Sequence, residues 1–264
     1  MTIHSIAPIL EDIKTAGRIG LDGQKDGSLV RAFKSDGSVV TAIDKKLDSF
    51  LSGCVERLWP QANLLTEEAP HPFDPQKAYT FAIDPIDGTD VYSQGMPGWC
   101  VSIGLLDKKM QPIAGVIYAP SMDLLLFADV AQCAVLNGKP VSIPAALDPL
   151  SEESNLMVSS RVHHRIELSR FPGKIRNIGS AALHLSFPLI YPAIFGAIQS
   201  PEVKVYDIAA AFALITSLGF EMSCLDGSPI NWSAMAEEGK ARDMIISCAP
   251  QRAAELRASL PRLA

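Results

Sequence analysis

The sequence contains little that would hold a protein in a membrane or in an oxidising compartment. Its 264 residues include no apolar run near the roughly 20 residues that a membrane-spanning helix needs. The N-terminal stretch "MTIHSIAPILEDIKTAGRIG" lacks the basic start and continuous apolar core of a signal peptide. The 5 cysteines are scattered, form no CxxC pair and are odd in number, which favours reduced thiols over a disulfide framework. We therefore expect a cytoplasmic protein with no membrane partner.

Positive charge is also scarce. Lys and Arg total 23 against 29 Asp and Glu, and the resulting net charge of -6 disfavours a nucleic-acid partner. It does not exclude a small phosphorylated substrate, because bound metal ions reverse the local sign of a site. With 48% hydrophobic and 20% charged residues, the composition is that of an ordinary globular protein.

The order of the predicted elements indicates one compact unit built from two packed halves. Strands dominate from Trp99 to Leu136, which favours an α+β half over residues 1–145. Strands and helices alternate in the half formed by residues 146–264, which favours α/β with helices covering a sheet. The polar, proline-containing segment "AALDPLSEESN" is the predicted boundary between the halves.

Individual elements follow from capping and periodicity. Thr41 is predicted to cap a helix over about 42–59, and the Gly- and Asp-rich segment before it, "LDGQKDGSLVRAFKSDGS", is predicted to be a loop or hairpin. Further helices are expected near 162–170, from about Ser180, and from Asp207 to about Leu218.

The stretch "FAIDPIDGTD" sets two aspartates three positions apart at the end of an apolar strand that we expect to stop at Pro85. Asp84 and Asp87 can converge there, and such carboxylates repel each other unless a cation lies between them or one is protonated. Gly88 lets the backbone approach a ligand closely, the amides after it can bind an oxyanion, and Thr89 adds a hydroxyl. The same residues are equally consistent with simple helix capping, so this pattern alone leaves both interpretations open.

Other acidic residues add to this picture. Glu67 and Glu68 end a short strand and should point to opposite sides, one toward a pocket and the other into solvent. Asp207 is predicted to be the N-cap of an alanine-rich helix, where its second oxygen remains free to bind a metal. Asp44 lies in the first turn of its helix, where a negative charge is favourable in any case.

Four motifs occur in a fixed order: "KSDGSVVTAID", "TEE", "DPIDGT" and "YDIAAA", with "GVIYAP", "LNGKPV" and "IGSAAL" between them. Together they resemble the inositol monophosphatase-like family, Mg²⁺-dependent and lithium-sensitive phosphatases of small phosphorylated metabolites, over about residues 34 to 225. The resemblance implies an αβαβα layered sandwich of the inositol monophosphatase/fructose-1,6-bisphosphatase type, usually a homodimer, and two or three Mg²⁺ ions.

The resemblance also implies residue roles. Asp44 and Thr89 would orient and deprotonate the attacking water, with Glu67 as a further catalytic residue. The metal ligands would be Glu67, Asp84, the carbonyl of Ile86, Asp87 and Asp207. The substrate would contact Asp87, Gly88, Thr89, Gly179, Ser180, Ala181 and Asp207.

Departures from the family pattern bear on the substrate. Inositol-selective members carry a glutamate several residues before the last aspartate, whereas Glu202 and Lys204 stand here at different offsets. Lys204 could contact a second phosphate or be a solvated surface lysine, and Asp90 adds a charge without a role. A 3'(2'),5'-bisphosphate nucleotidase, a histidinol-phosphatase and a catalytically silent regulatory homologue therefore remain alternatives. His184 is expected to be a packing residue of its helix.

Overall fold

The computed structural model describes residues 2–26, 29, 31–34, 37–143 and 147–263. The predicted boundary between residues 145 and 146 lies outside this set, and the division into halves stays a prediction. The helices are α1 (Leu10–Lys25), α2 (Ala42–Leu58), α3 (Thr89–Ser93), α4 (Ala181–Ile190), α5 (Val205–Ser217), α6 (Trp232–Glu238) and α7 (Ala253–Ala258).

The strands form two main sheets and a short ribbon. The ribbon pairs β1 (Ala32–Phe33) with β2 (Val39–Val40). The large sheet consists, in spatial order, of β3 (Asn63–Thr66), β4 (Thr80–Asp87), β5 (Cys100–Leu106), β6 (Pro112–Ala119), β7 (Leu124–Asp129), β8 (Gln132–Leu136) and β9 (Lys139–Pro140). The small sheet has the order β11-β10-β12-β14-β13, from β10 (Asn155–Val158), β11 (Lys174–Arg176), β12 (Ile194–Gln199), β13 (Glu221–Cys224) and β14 (Ile245–Cys248).

The elements stack in five layers. Helices α1 and α2 bury apolar side chains such as Ile13 and Leu51 against one face of the large sheet. Helices α4 and α5 lie between the two sheets, and Leu256 of α7 joins the core on the far side of the small sheet. Gly115 of β6 permits the close approach of α5, since a methyl group there would lie 2.6 Å from the carbonyl oxygen of Ala210. The predicted αβαβα sandwich is confirmed.

Some local predictions were wrong. The segment "LDGQK" forms the end of α1 rather than a loop. The range 162–170 contains two short 3₁₀ turns, Val162–His164 and Leu168–Arg170, instead of one helix. The N–H of Glu167 donates to the carbonyl of Pro261 at 2.9 Å, so backbone groups that a helix would use internally are paired with the C-terminal segment.

No helix among the described residues combines the length and the apolar character needed to cross a membrane. All 5 cysteines are free thiols, as predicted, and three of them are buried: Cys54, Cys100 and Cys248.

Candidate active site

A β-bulge aims the two aspartates of the "DPIDGT" motif at the same side of the large sheet. In a regular strand, residues three apart point to opposite faces. Here Asp84 pairs with Ser102 and Asp87 pairs with Cys100, so three steps along β4 match two steps along β5. The extra residue restores a common direction for both carboxylates. The prediction that the strand stops at Pro85 was wrong, because β4 continues through the proline to Asp87.

Asp87 is anchored across the junction between the two sheets. Its Oδ1 accepts the N–H of Ala181 at 3.0 Å, and its Oδ2 accepts the N–H of Ala182 at 2.7 Å and the hydroxyl of Ser180. The two amides belong to the first turn of α4, where N–H groups have no partner within the helix and negative charge is stabilised. Burial nevertheless raises the pKa of Asp87 to about 6.

Asp84 lies deeper, with 2% of its surface exposed, and its Oδ1 accepts the N–H of Ile86 at 3.0 Å. Burial raises the pKa of Asp84 well above its ordinary value, and the negative charges of neighbouring acidic residues raise it further; these are Glu67, Asp87, Asp207 and Asp44. The acidic side chains of the separate motifs are therefore close enough to repel one another.

The segment before α4 is held by close packing. Gly179 has a φ of +112°, and a methyl group there would lie 2.4 Å from a methyl of Val91. A methyl group on Gly98 would lie 1.7 Å from the carbonyl oxygen of Ile178, and the Ser180 N–H donates to the Gly98 carbonyl at 3.1 Å. These contacts fix the position from which Ser180 reaches Asp87.

Asp44 and Thr89 form a hydrogen-bonded pair. The Thr89 hydroxyl lies 2.9 Å from Asp44 Oδ1 and 2.9 Å from the Ile86 carbonyl, and it can donate to either. Asp44 Oδ2 accepts the backbone N–H of Thr41 at 2.8 Å and its hydroxyl at 2.5 Å, within the capping box that begins α2. Burial raises the pKa of Asp44, while the hydrogen bonds from Thr41 and Thr89 oppose the rise. A buried carboxylate with a raised pKa is suited to accept a proton.

The two adjacent glutamates do not point one to a pocket and the other to solvent, as was predicted. Lys34 Nζ lies 2.8 Å from Glu67 Oε1 and 2.6 Å from Glu68 Oε1, and the Glu68 side chain is only 4% exposed. The expectation that one glutamate faces solvent was therefore wrong, because Lys34, the residue directly after β1, pairs with both carboxylates. Burial opposes the charge on Lys34, but the two carboxylates outweigh it and the pKa of Lys34 is raised.

Asp207 is the third residue of α5, not its N-cap. Its Oδ2 accepts the N–H of Lys204 at 2.7 Å, and Lys204 occupies the N-cap position. Burial raises the pKa of Asp207 well above its ordinary value, and the negative charges of Glu67 and Asp87 raise it further. Asp207 does lie at the start of α5 as predicted, but the N-cap is Lys204 and not Asp207.

Two cavities meet at these carboxylates. The Thr89 cavity, about 500 Å³, is also lined by Phe33, Asp84, Ile86 and Gly88. The Gln199 cavity, about 450 Å³, is also lined by Gly179, Ala181, Ser200, Lys204 and Lys240. The residues shared by both include Glu67, Asp87, Asp207, Ser160 and Arg161.

The predicted site residues thus lie close together, either in the walls of these two cavities or directly behind them. Asp44 and Ser180 do not line the cavities; both are fully buried behind them and act through Thr89 and Asp87.

The donor set suits Mg²⁺ in its chemistry, because it consists of carboxylates and a carbonyl without histidine or thiolate. Burial raises the pKa of both Asp84 and Asp207, and the further rise caused by neighbouring carboxylates marks crowded negative charge that a cation would relieve. Within the described ranges, however, no three acidic, histidine or cysteine side chains are arranged so that they could hold an ion together. Glu67 is turned to Lys34, and Asp87 to the start of α4.

Asp90, for which the sequence indicated no role, pairs with Arg31. Arg31 Nη2 lies 2.5 Å from Asp90 Oδ1, and both residues line the Thr89 cavity. The pair connects the ribbon to α3. Both side chains are substantially exposed, so the contact is open to solvent.

Sequence reasoning missed several residues at this site. Lys34 and Arg31 were overlooked because their partners are 33 and 59 positions away. Gly98 was missed because its importance depends on the approach of Ile178. "KSDG" and "MPG" did contain a lysine and a glycine in loop-like surroundings, which is a weak signal.

The sequence and the fold both match a known protein family. Residues 5–260 match the model of the inositol monophosphatase family, and the chain belongs to that family. It is 27% identical over 218 residues to the inositol-1-monophosphatase of Synechocystis sp., covering 77% of this chain and 74% of the relative. It is 27% identical over 215 residues to the 3'(2'),5'-bisphosphate nucleotidase CysQ of Buchnera aphidicola, covering 76% and 77%.

A solved structure shows the same architecture. The extragenic suppressor protein suhB from Bartonella henselae superposes with a TM-score of 0.82 at 22% identity, covering 95% of this chain and 96% of that one. At this identity the likeness concerns the fold.

Proposed function

We propose that this protein is a Mg²⁺-dependent phosphomonoesterase that hydrolyses a small phosphorylated metabolite by attack of water. The observation that carries the proposal is the Thr89 hydroxyl, 2.9 Å from the buried Asp44 carboxylate and at the wall of a cavity that also contains Glu67, Asp84 and Asp87. Membership of the inositol monophosphatase family supports it.

The residues that would hold two or three Mg²⁺ ions are Glu67, Asp84, Ile86 through its carbonyl, Asp87 and Asp207. When bound, the metal supplies the positive charge that neutralises the phosphate oxygens and polarises water.

The protein's own groups then position the reactants. Thr89 Oγ1 holds the attacking water and takes a proton from it as its own proton passes to Asp44 Oδ1. The bond from the water oxygen to phosphorus forms while the bond to the alcohol oxygen breaks, and the alcohol oxygen takes a proton from solvent. The backbone amides of Gly88 and Thr89 hold phosphate oxygens, and the segment Gly179–Ala181 contacts the alcohol.

Two substitutions at Thr89 test this arrangement, one that removes the hydroxyl and one that keeps it. Thr89→Val removes the hydroxyl and should lower kcat for phosphate release by about 10²- to 10⁴-fold, the range typical of a lost proton-transfer group. Thr89→Ser retains the hydroxyl and serves as the matched control, with most of the activity preserved. A Thr89→Val enzyme with wild-type kcat would refute the proposed proton path.

The substrate is proposed to be inositol monophosphate-like, with a bisphosphorylated nucleotide as the second candidate. Arg161, Lys204 and Lys240 line the Gln199 cavity, and cationic side chains there favour a substrate with a second phosphate. Side-by-side phosphate release with Mg²⁺ from inositol 1-phosphate, adenosine 3',5'-bisphosphate and histidinol phosphate separates the candidates. Hydrolysis of none of them, with binding retained in calorimetry, would favour a regulatory homologue.

We further infer a lithium-sensitive cytoplasmic homodimer without nucleic-acid or membrane partners. The net charge of -6 and the family membership support this inference. Lithium titration of the active enzyme and sedimentation at several protein concentrations are the tests; an activity unaffected by lithium or a monomer at all concentrations would contradict the corresponding part.

A further inference from the structure

His184 is a fully buried histidine of α4 that uses both of its ring nitrogens. The backbone N–H of Ile178 donates to ring Nε2 at 2.8 Å, and the Gln199 amide lies with its Nε2 position 2.8 Å from ring Nδ1. One imidazole therefore joins the last residue of β12 to the segment that precedes α4. The reaction described above makes no use of this link.

The two contacts determine where the ring carries its proton. A nitrogen that accepts a backbone N–H has no proton of its own, so a neutral ring must carry its proton on Nδ1. Burial lowers the pKa of His184 to about 4, and the ring is neutral near neutral pH. Nδ1 is consequently a donor, and the atom of Gln199 that receives its hydrogen bond is the amide oxygen.

The orientation of the Gln199 amide follows from this. Oxygen and nitrogen of a glutamine side chain exchange places when the amide turns by 180°, and their assignment depends on the hydrogen-bond network. If the –NH₂ group faced Nδ1, both ring nitrogens would have to accept, which a neutral imidazole cannot do. With Oε1 on Nδ1–H, the –NH₂ group is directed away from His184.

Gln199 lines the cavity on the alcohol side of the carboxylates. In the described part of the chain, its side-chain amide makes no hydrogen bond except the one to His184. Gln199 is 1% exposed and lines the cavity, so an amide –NH₂ without a protein partner can donate to whatever occupies that cavity. The cavity is where a substrate can provide one.

We propose that Gln199 determines specificity by donating an amide N–H to an oxygen of the leaving alcohol, and that His184 is the positioning residue that holds it in this orientation. The proposal rests on the proposed phosphatase function and deepens it. It favours phosphate esters of polyhydroxylated alcohols over esters whose leaving group offers no acceptor oxygen. Because Ile178 is bound to the same ring, His184 also fixes the entry to Gly179 and Ser180.

Gln199→Met tests the donation, because it removes the amide while keeping a side chain of similar length. For inositol 1-phosphate with Mg²⁺, kcat/KM should fall about 10-fold, mainly through KM, as expected for one lost hydrogen bond. Phenyl phosphate, whose leaving group has no hydroxyl beyond the ester oxygen, should be hydrolysed within about twofold of the wild-type rate, well below that effect. Gln111→Met, at an exposed glutamine that lines neither cavity, is the matched control. An equal loss on both substrates, or none on either, would overturn the proposal.

The role of His184 has its own readouts. Nitrogen-15 NMR of the ring should show the Nδ1–H tautomer at neutral pH, and the Nε2–H tautomer would contradict the arrangement. His184→Gln should reproduce the selective loss on inositol 1-phosphate. Ser247→Ala, which removes the buried 2.7 Å hydrogen bond to the Leu185 carbonyl, controls for general destabilisation and should affect both substrates equally.

Inactivity of the wild-type protein toward every phosphate ester would instead refute the proposed function, and donation to a leaving alcohol with it. The NMR spectrum would still decide the His184 tautomer independently.

Discussion

The Thr89 cavity and the Gln199 cavity share carboxylates but are built in different ways. On the Thr89 side, Asp44 and Asp84 are buried and held by backbone groups or by a capping box. On the other side, Lys240 is an exposed side chain that lines only the Gln199 cavity, and the exposed Arg161 lines both cavities. Buried, backbone-anchored groups are suited to a reaction that needs fixed geometry, whereas exposed side chains can differ between relatives without disturbing the core. The difference suggests that one side sets the chemistry and the other the substrate.

The largest expected effect comes from removing a charge on the buried side. Asp84→Asn should lower kcat/KM for phosphate release by about 10³-fold, since several kcal/mol of transition-state stabilisation depend on the metal site. Without divalent ions the substitution should not lower the free energy of unfolding, because a neutral amide relieves repulsion from neighbouring acidic groups. Steady-state kinetics and urea unfolding in EDTA measure the two effects.

The matched control is Asp129→Asn, at a carboxylate that accepts the N–H of Ile6 at 2.9 Å and lines neither cavity. It should affect stability and spare activity. Retention of full activity by Asp84→Asn would remove the distinction between the two sides.

The next effect concerns His184, which ties the exposed side to the core. Its pKa is lowered from 6.5 to about 4 in the folded protein, so between these values the unfolded chain binds a proton that the folded chain does not. The contribution of the neutral His184 to the free energy of unfolding is fully present above about pH 6.5. It is lost as the pH falls toward about 4, by about 3 kcal/mol in total. Urea unfolding of the wild type and of His184→Gln should show their difference shrinking by about 2 kcal/mol from about pH 7.5 to about pH 5.

His163→Gln, at an exposed histidine of the first 3₁₀ turn, should leave the pH dependence of stability unchanged. A constant difference between wild type and His184→Gln across this range would show that His184 is not held in its neutral form.

A smaller effect is expected on the exposed side. Lys240→Ala, at a lysine that lines only the Gln199 cavity, should lower kcat/KM for adenosine 3',5'-bisphosphate about 5-fold, because a solvent-exposed charge contributes about 1 kcal/mol or less. Inositol 1-phosphate, with one phosphate, should be affected by only about twofold. Arg170→Ala, at an exposed arginine that lines neither cavity, is the control. Equal losses on both substrates would mean that Lys240 does not select a second phosphate.

The smallest effect is expected for the ion pair of Arg31 and Asp90. A double-mutant cycle with alanine at both positions should give a coupling free energy of about 0.2–1 kcal/mol in urea unfolding, as for other exposed pairs. The coupling should shrink at high salt. A coupling several times larger would indicate that the ribbon is fastened to α3 more firmly than its exposure suggests.

Local features of the sequence predicted the buried side well. Thr41 begins α2 as expected, and the capping box with Asp44 depends only on residues three positions apart. The acidic residues of the separate motifs do converge, as the family resemblance implied. The αβαβα fold was implied by the family resemblance that these motifs carry.

Features that depend on distant contacts could not be predicted in the same way. The bulge that turns Asp84 and Asp87 to one side depends on pairing with β5, and the inward position of Glu68 depends on Lys34 from the ribbon. The range 162–170 contains residues compatible with a helix, but its backbone pairs with the C-terminal segment. Local propensity is overridden wherever such partners compete for the same groups.

The anchoring of Asp87 makes catalytic activity a measure of assembly. This carboxylate belongs to the large sheet, while the backbone N–H groups that donate to it belong to the first turn of α4, which packs against the small sheet. Neither sheet with its helices forms the complete site alone. Separation of the two sheets would therefore release the Asp87 carboxylate and expose the first turn of α4 at the same time. Loss of turnover during gentle unfolding should therefore report the separation of the two sheets before either one melts.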